Sequence, residues 1–265
     1  MFSPELSIVV PAYDEERNVP VLAGELRSEL SKAGIDAYEV IFVDDGSRDS
    51  TAERVRDEVA RDPKGRFRLI RLERNSGESA ATEAGLRRAR GEIVVVMDCD
   101  LQNAPSDLVK LVDPVRRGEA DCACGWRVDR TAGDTGWRHV QSRIANAVVH
   151  WLAGDTIQDA GCTYRAFRRE CIERVKVFRG MHRFLPTLFE LEGHRVIEVP
   201  VESRPRLHGV SKYGMWNRAF AAFYDLLAVR WMRSRVVRWR VAEDSLEAAT
   251  LSHFRRERGA RASDE

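Results

Sequence analysis

The sequence contains no run of about 18 uncharged apolar residues, so nothing in it is expected to span a bilayer. It opens without the basic, apolar and small-residue succession of a secretory leader, and none is expected. Cysteine is sparse: five residues, an odd number in no metal-ligand spacing, which points to reduced thiols and a cytosolic setting. Cys122-Ala123-Cys124 is too close for an ordinary zinc pair, and no second pair follows. An excess of one charge is missing too. Lys and Arg number 43 against 42 Asp and Glu, net +1, so no overall field argues for a polyanionic partner. No Gly-x-Gly-x-x-Gly follows the first apolar run and no Walker loop occurs, so dinucleotide and ATP-hydrolase readings lack their phosphate cradle. Internal repeats and low-complexity tracts are absent as well.

What is present is enough for one good-sized core, since 43% of 265 residues are hydrophobic. The first half alternates strand and helix signals with short connections, which predicts an α/β fold with a mainly parallel sheet. Apolar runs predict strands at Leu6–Val10, Tyr38–Val43, Phe67–Arg71, Ile93–Met97 and Ala120–Cys124. Between them, Asn18 is expected to cap a first helix with Val21, Leu22, Leu26 and Leu30 on its apolar face. Asp49 or Ser50 caps a second helix, running to about Arg61. A third runs from Gly77 to Arg90, and Pro105 opens a fourth that ends near Arg117. The second half is less regular. It predicts a loop and helix over 133–152, a mixed segment at Gly161–Phe167 with a short strand as one reading, a helix at Phe184–Leu191 and a strand at Arg195–Val201. After a loop over 204–214, a helix starts near Met215, and the last ~25 residues are polar.

Asp98-Cys99-Asp100, at the end of the most hydrophobic strand, is the most informative segment. The carboxyl end of such a strand is where open α/β sheets bind ligands. Two carboxylates two residues apart are costly there unless a cation lies between them, and a hard divalent ion carrying a diphosphate fits. The plain alternative is an ordinary surface loop. Two other strand ends bring polar groups to the same edge: Pro11, Ala12, Tyr13 and Glu15 after the first, Asp44 and Asp45 after the second. Carboxylates cannot meet a diphosphate directly, so they divide the work. Asp44 accepts hydrogen bonds from a ribose hydroxyl or a base N–H, while Asp100 ligates the metal.

These residues resemble a known family. Pro11-Ala-Tyr-Asp-Glu-Glu, Asp44-Asp-Gly-Ser, Asn75-Ser-Gly, Gly91-Glu and Asp98-Cys-Asp-Leu-Gln, in that order, are similar to the inverting GT-A glycosyltransferases of family 2. Asp98-Cys-Asp-Leu-Gln-Asn-Ala-Pro, Gly161-Cys-Thr-Tyr-Arg and Arg204-Pro-Arg…Gly209-Val-Ser-Lys-Tyr resemble its polyprenyl-phosphate hexosyltransferases, of the dolichyl-phosphate mannosyltransferase type. The resemblance covers roughly residues 5–232 and implies a Rossmann-like GT-A sheet flanked by helices. It also implies a nucleotide-sugar donor, Mg²⁺ or Mn²⁺, and a lipid-phosphate acceptor. By position, Pro11, Ala12, Tyr13, Glu15, Asp44, Asp45 and Asp98 would serve the donor. Asp98, Asp100 and Gln102 would hold the metal with the donor phosphates, and Arg206 and Lys212 would reach the diphosphate from a closing loop. Arg127, Arg138 and Ser142 would hold the acceptor phosphate. Asp14 stands where the family often has Asn, and Cys99 where Ala is common, its side chain expected in the core. Family members that make polysaccharide processively carry Gln-x-x-Arg-Trp, which this sequence lacks.

The acceptor chemistry agrees with charge arguments. A polyprenyl phosphate is a monoester with its second pKa near ~6, so it is already an anion and needs cations rather than a strong base. Arginine supplies forked, permanently charged contacts, and Arg127, Arg138 and Arg165 are candidates; for any single one the plain reading is a surface ion pair. Asp159 is a candidate base toward a hydroxyl acceptor, with a loop carboxylate as its plain reading. His182 and His208 are read as structural. Trp216, Phe220, Phe223, Leu227 and Trp231 form an aromatic stripe at helical spacing, followed by Arg233, Arg235, Arg238, Trp239 and Arg240. That pattern is either core packing or a C-terminal amphipathic helix docking residues 215–240 on an anionic membrane surface.

The expected organisation is a catalytic domain over 1–203, its donor half 1–125 and acceptor half 126–203. A basic loop and interfacial helix follow over 204–240, then a polar tail over 241–265. Many relatives continue into transmembrane helices where this chain ends, so the reading is a peripheral enzyme on the cytoplasmic face of the inner membrane. The arginine cluster is too short to argue for nucleic acid. Transfer to a hydroxyl acceptor and a non-catalytic nucleotide-sugar-binding role remain the alternatives.

Overall fold

The computed structural model describes residues 3–127, 157, 159, 161–175, 177–205 and 215–237, with no side-chain description over 215–222. Residues Met1–Arg233 make one compact unit; of the second, which begins at Ser234, only 234–237 are described. In chain order the elements are β1 (Leu6–Ala12), α1 (Asn18–Lys32), β2 (Tyr38–Asp44), α2 (Thr51–Ala60), β3 (Phe67–Arg71) and α3 (Glu78–Leu86). Then come β4 (Ile93–Val96), α4 (Leu108–Arg116), β5 (Cys122–Arg127), β6 (Arg165–Arg168), α5 (Leu185–Leu191), β7 (Val196–Val201) and α6 (Met215–Ser234).

The strands form one seven-stranded sheet in the order β3-β2-β1-β4-β6-β5-β7. All run parallel except β6, which is antiparallel to both β4 and β5. The apolar runs of β1, β2 and β4 are buried on both faces because each face carries helices. On one face Ile8, Val10, Val40 and Phe42 pack with Leu22, Leu26 and Leu30 of α1, Val55 of α2 and Leu111 of α4. On the other Val9, Ile41, Val43 and Val96 pack with Ala81 of α3, Phe189 of α5 and Leu226 and Val229 of α6. Burying each such side chain contributes about 1.5–3 kcal/mol, which is what commits these segments to the centre of the sheet.

Some predicted boundaries shift, for local reasons. The helix expected over 77–90 ends at Leu86, because the chain must turn before β4. There the Arg90 amide donates to Glu39, and Gly91 lies so close to β1 that a Cβ would sit 2.6 Å from the Ser7 nitrogen. Asn18 is not a cap. It is the first helical residue of α1, and its side-chain amide donates to the Glu15 carboxylate at 2.5 Å. Asp49 does act at the start of α2, accepting the Thr51 amide at 3.0 Å. Pro105 opens a 3₁₀ turn, Pro105–Asp107, with the α-helix starting at Leu108. The mixed segment after Gly161 yields β6, inserted where a sixth parallel strand would otherwise be placed.

At the amino ends of the strands, Glu39 is fully buried and ties three elements together. It accepts from Ser7 Oγ at 2.8 Å, from Arg68 Nη1 at 2.8 Å and from Arg90 Nη2 at 2.7 Å. Burial pushes this carboxyl up, but the bonds from Arg90, Arg68 and Ser7 outweigh it and hold it below the usual range. That network closes one end of the sheet and leaves the carboxyl end for the site.

Candidate active site

The strand order reverses direction between β1 and β4, and such a switch point leaves a crevice at the carboxyl ends. β4 pairs with β1 only as far as Val9 opposite Val96, so Pro11 and Ala12 run on past it. The chain after β1 is then knitted to the chain after β2. Asp14 adopts φ 51, a left-handed conformation that Asn and Asp tolerate, which accounts for either residue serving there. Its amide donates to Ser47 Oγ at 2.9 Å and its carboxylate accepts the Arg48 amide at 2.8 Å. Glu15 follows, its amide bound to Thr51 Oγ1 at 2.8 Å. Tyr13, just before Asp14, is half-buried.

At the end of β2, Asp44 is fully buried and accepts the Ser47 amide through Oδ1 at 3.0 Å. Its Oδ2 lies 3.2 Å from Arg71 Nε, yet forms no hydrogen bond among the described residues. A buried acceptor in that condition is suited to a ligand N–H or O–H. Asp45 does something else. Both of its oxygens accept backbone amides, Ser76 at 2.7 Å and Gly77 at 2.9 Å, so it holds the loop before α3. Burial pushes its carboxyl up despite those amides, and the neighbouring Asp44 adds to the push. Gly46 completes the turn at φ +67, where a Cβ would lie 2.5 Å from the Arg74 carbonyl carbon.

After β4, Asp98 is half-buried and Asp100 buried. Burial, with the Asp100 charge beside it, pushes the Asp98 carboxyl up, and the Thr163 hydroxyl partly opposes this by donating to Asp98 Oδ2 at 2.6 Å. Asp100 accepts the Gln102 amide at 3.1 Å, and between them buried Leu101 takes φ 64. A leucine in that region costs of order 1–2 kcal/mol, held here by burial of its side chain. Cys99 is in the core, as expected. The turn is also fastened to the chain leaving β7: the Arg204 amide donates to the Gln102 carbonyl at 3.0 Å, and Asn103 bridges Ser203.

Two neighbouring carboxylates whose joint ionisation the site resists are a fitting seat for a divalent cation. No group of three or more His, Cys, Asp or Glu side chains that could cage a metal occurs among the described residues. Two carboxylates suit an ion of the Mg²⁺ or Mn²⁺ kind, which is bound by one or two carboxylates and completed by substrate phosphates.

The acceptor half departs further from expectation. Arg127, at the end of β5, forms a bidentate pair with Asp159, at 2.7 and 2.8 Å, with both side chains largely buried. Burial works against its charge, and the Asp159 carboxylate more than compensates, raising it. Arg165 is not a surface cation: it is 1% exposed and donates to the His182 and Arg183 carbonyls. His182 is structural, its Nδ1 2.8 Å from Ser79 Oγ. Arg138, Ser142, Arg206, Lys212 and His208 lie outside the described residues. Two residues beside the site were not assigned from the sequence. Thr163 falls inside the Gly161-Cys-Thr-Tyr-Arg motif, and Arg71 had a usable signal in ending β3 at the edge that carries Asp44.

On α6, Phe223, Tyr224, Leu227 and Trp231 are 51%, 76%, 42% and 63% exposed, while Leu226 and Val229 pack into the core. The described part of the aromatic stripe is thus not core packing, and Arg230, Arg233 and Arg235 are exposed beside it. Among the described residues no helix is long and apolar enough to cross a membrane.

Comparison with known proteins agrees with this geometry. The family described as Glycosyl transferase family 2 matches residues 7–176. A Rhizobium johnstonii protein named dodecaprenyl-phosphate galacturonate synthase is 38% identical over 232 residues, 86% of this chain and 67% of its own length. The undecaprenyl-phosphate 4-deoxy-4-formamido-L-arabinose transferase of Pseudomonas aeruginosa is 35% identical over 222 residues, 84% of this chain and 64% of that protein. The chain thus spans about two thirds of the length of these relatives. Among solved structures, Mycobacterium tuberculosis glucosyl-3-phosphoglycerate synthase with Mn²⁺, UDP and glucosyl-3-phosphoglycerate superposes with a TM-score of 0.62. It is 21% identical, with 89% of this chain and 81% of that one covered, a likeness of fold.

Proposed function

The chain belongs to glycosyl transferase family 2, and from that premise we propose that it moves a sugar from a nucleotide-sugar onto a polyprenyl phosphate. The product is a polyprenyl-phosphate sugar with inverted configuration at the anomeric carbon. One observation carries the reading: the two-carboxylate turn after β4 stands at the switch point, beside the ends of β1 and β2. The names of the two relatives, both acting on polyprenyl phosphates, support the acceptor class.

In this reading Pro11, Ala12, Tyr13, Glu15 and Asp44 line the nucleoside, with the unsatisfied Oδ2 of Asp44 accepting from it. Asp98, Asp100 and Gln102 hold Mg²⁺ or Mn²⁺, which when bound offsets the charge of the donor diphosphate. Arg206 and Lys212 are proposed, on the family resemblance, to add cations to that diphosphate. Arg127, Arg138 and Ser142 are proposed, on the family resemblance, for the acceptor phosphate. An acceptor phosphate oxygen attacks the anomeric carbon, and the bond from that carbon to the diphosphate oxygen breaks, its electron pair leaving with the nucleoside diphosphate. No proton need be taken from the nucleophile, because the phosphate is already an anion. A hydroxyl acceptor would need a carboxylate base, and the candidate Asp159 is taken up bidentately by Arg127, which favours the phosphate.

The exposed aromatic and basic face of α6 is proposed to rest on the cytoplasmic face of the membrane, where the lipid phosphate is presented. Purified protein incubated with a panel of nucleotide sugars, Mg²⁺ or Mn²⁺ and short polyprenyl phosphates is expected to form a lipid-linked sugar from at least one donor. Transfer only to water, or to no acceptor in the panel, would overturn the reading.

A further inference from the structure

We propose that Thr163 is a positioning residue of the transfer site, holding the Asp98 carboxylate in the orientation that meets the metal-bound donor. This rests on the family 2 reading above. Neither the family resemblance nor the relatives assign a role to this threonine.

The argument starts from sheet register. β6 runs antiparallel to β4 with Val96 opposite Arg165 and Val94 opposite Phe167. Two residues after Val96 on one chain and two before Arg165 on the other, Thr163 therefore falls opposite Asp98. Side chains alternate between the faces of a strand. Val94 and Val96 face the α3 side of the sheet with Phe167, while Val95, Met97 and Cys99 face the α1 side with Cys162, Tyr164 and Ala166. Asp98 and Thr163 are thus a cross-strand pair on the α3 face, and the 2.6 Å bond from Thr163 Oγ1 to Asp98 Oδ2 joins them.

The backbone carrying the hydroxyl is held from both sides. Cys162 is 1% exposed and its amide donates to the Asp159 carbonyl at 3.0 Å. Tyr164 is 0% exposed and its carbonyl accepts the Gly125 amide at 2.8 Å. The next residue, Arg165, is buried and anchored to the 182–183 turn. Asp98, by contrast, lies past the end of β4, where ladder bonds no longer fix it. A rigid donor aimed at a carboxylate on a turn is how an outer shell sets the direction of a metal or ligand contact. Serine retains this donor. Valine keeps the shape and removes it.

The test compares T163V and T163S with the wild type in Mn²⁺-dependent binding of UDP and of GDP by calorimetry, repeated in EDTA. Wild type is expected to bind at least one nucleotide with Mn²⁺. T163V should weaken that binding about 10–100-fold, the range for loss of an outer-shell partner. T163S should stay close to wild type, and in EDTA all three should bind alike. T163A, a second probe should valine pack badly, must repeat the loss. Metal-dependent binding by T163V equal to wild type, or an equal loss in T163S, would overturn the inference while leaving the donor site intact. A wild type that binds neither nucleotide with Mn²⁺ would overturn the donor-site reading itself, and this inference with it.

Discussion

Asp98 carries a burial penalty to which the charge of its neighbour Asp100 adds. Without a cation, burial and mutual repulsion penalise the charge on Asp98. An acid whose folded pKa is raised binds its proton longer in the folded state, so its contribution to stability falls as pH rises from the unfolded value of about 3.9 through the folded one. Asp98→Asn is accordingly expected to raise the melting temperature of the metal-free protein at pH 7 by a few degrees, read by scanning calorimetry, while lowering turnover. Asp100→Ala should abolish turnover and leave the circular dichroism spectrum unchanged; wild-type activity in that variant would refute its metal role. The sequence made both carboxylates legible only through their neighbours: an Asp-x-Asp alone is as readily a surface loop, and the motifs after the other two strand ends single this one out. It could not show the left-handed Leu101 between them, since leucine carries no signal for that conformation and only burial of its side chain maintains it. Nor did it separate Asp44 from Asp45: of two adjacent identical residues, one keeps a buried oxygen out of any hydrogen bond among the described residues and the other binds two loop amides.

At the level of elements, the helices and strands that bury one clear face were readable, and those whose role is set by partners were not. β1 to β5 and α1 to α4 follow from apolar runs and their spacing. For β6 a short strand within Gly161–Phe167 was readable, but four residues with two arginines reveal neither its direction nor its neighbours. Glu39 shows what such partners contribute. Its carboxyl is held low by Arg90, Arg68 and Ser7, so its stabilisation is present above the unfolded value of about 4.3 and is lost as pH falls through the lower folded one. Glu39→Ala is expected to cost about 3 kcal/mol at pH 7 in urea unfolding, with the difference from wild type shrinking in acid. A difference that does not shrink would contradict the ion-pair account. On α6 the opposite test applies. Phe223→Ser, Leu227→Ser and Trp231→Ser combined should leave the melting temperature near wild type, since these side chains are exposed, and release the protein from anionic liposomes in sedimentation assays. Persistent attachment would contradict docking through this face.

Across the whole molecule, the regular first half and the less regular second half divide the sequence more cleanly than they divide the fold. The reversed strand β6 comes from the second half yet lies between β4 and β5, covering an edge that the first half cannot cover for itself. Residues 1–127 expressed alone are therefore expected to aggregate or stay unfolded by circular dichroism, and co-expression with the remainder should restore solubility. A soluble, cooperatively melting 1–127 fragment would show the edge to be dispensable. The same strand constrains how acceptor preference can change by recombination. A single crossover after β5 would pair one parent's β4 with another parent's β6, splitting the register that sets Thr163 against Asp98. Hybrids that keep the parental 161–168 segment with the first half, and exchange only what lies around it, avoid that mismatch, so specificity in this architecture is expected to move by replacing loops rather than by trading halves.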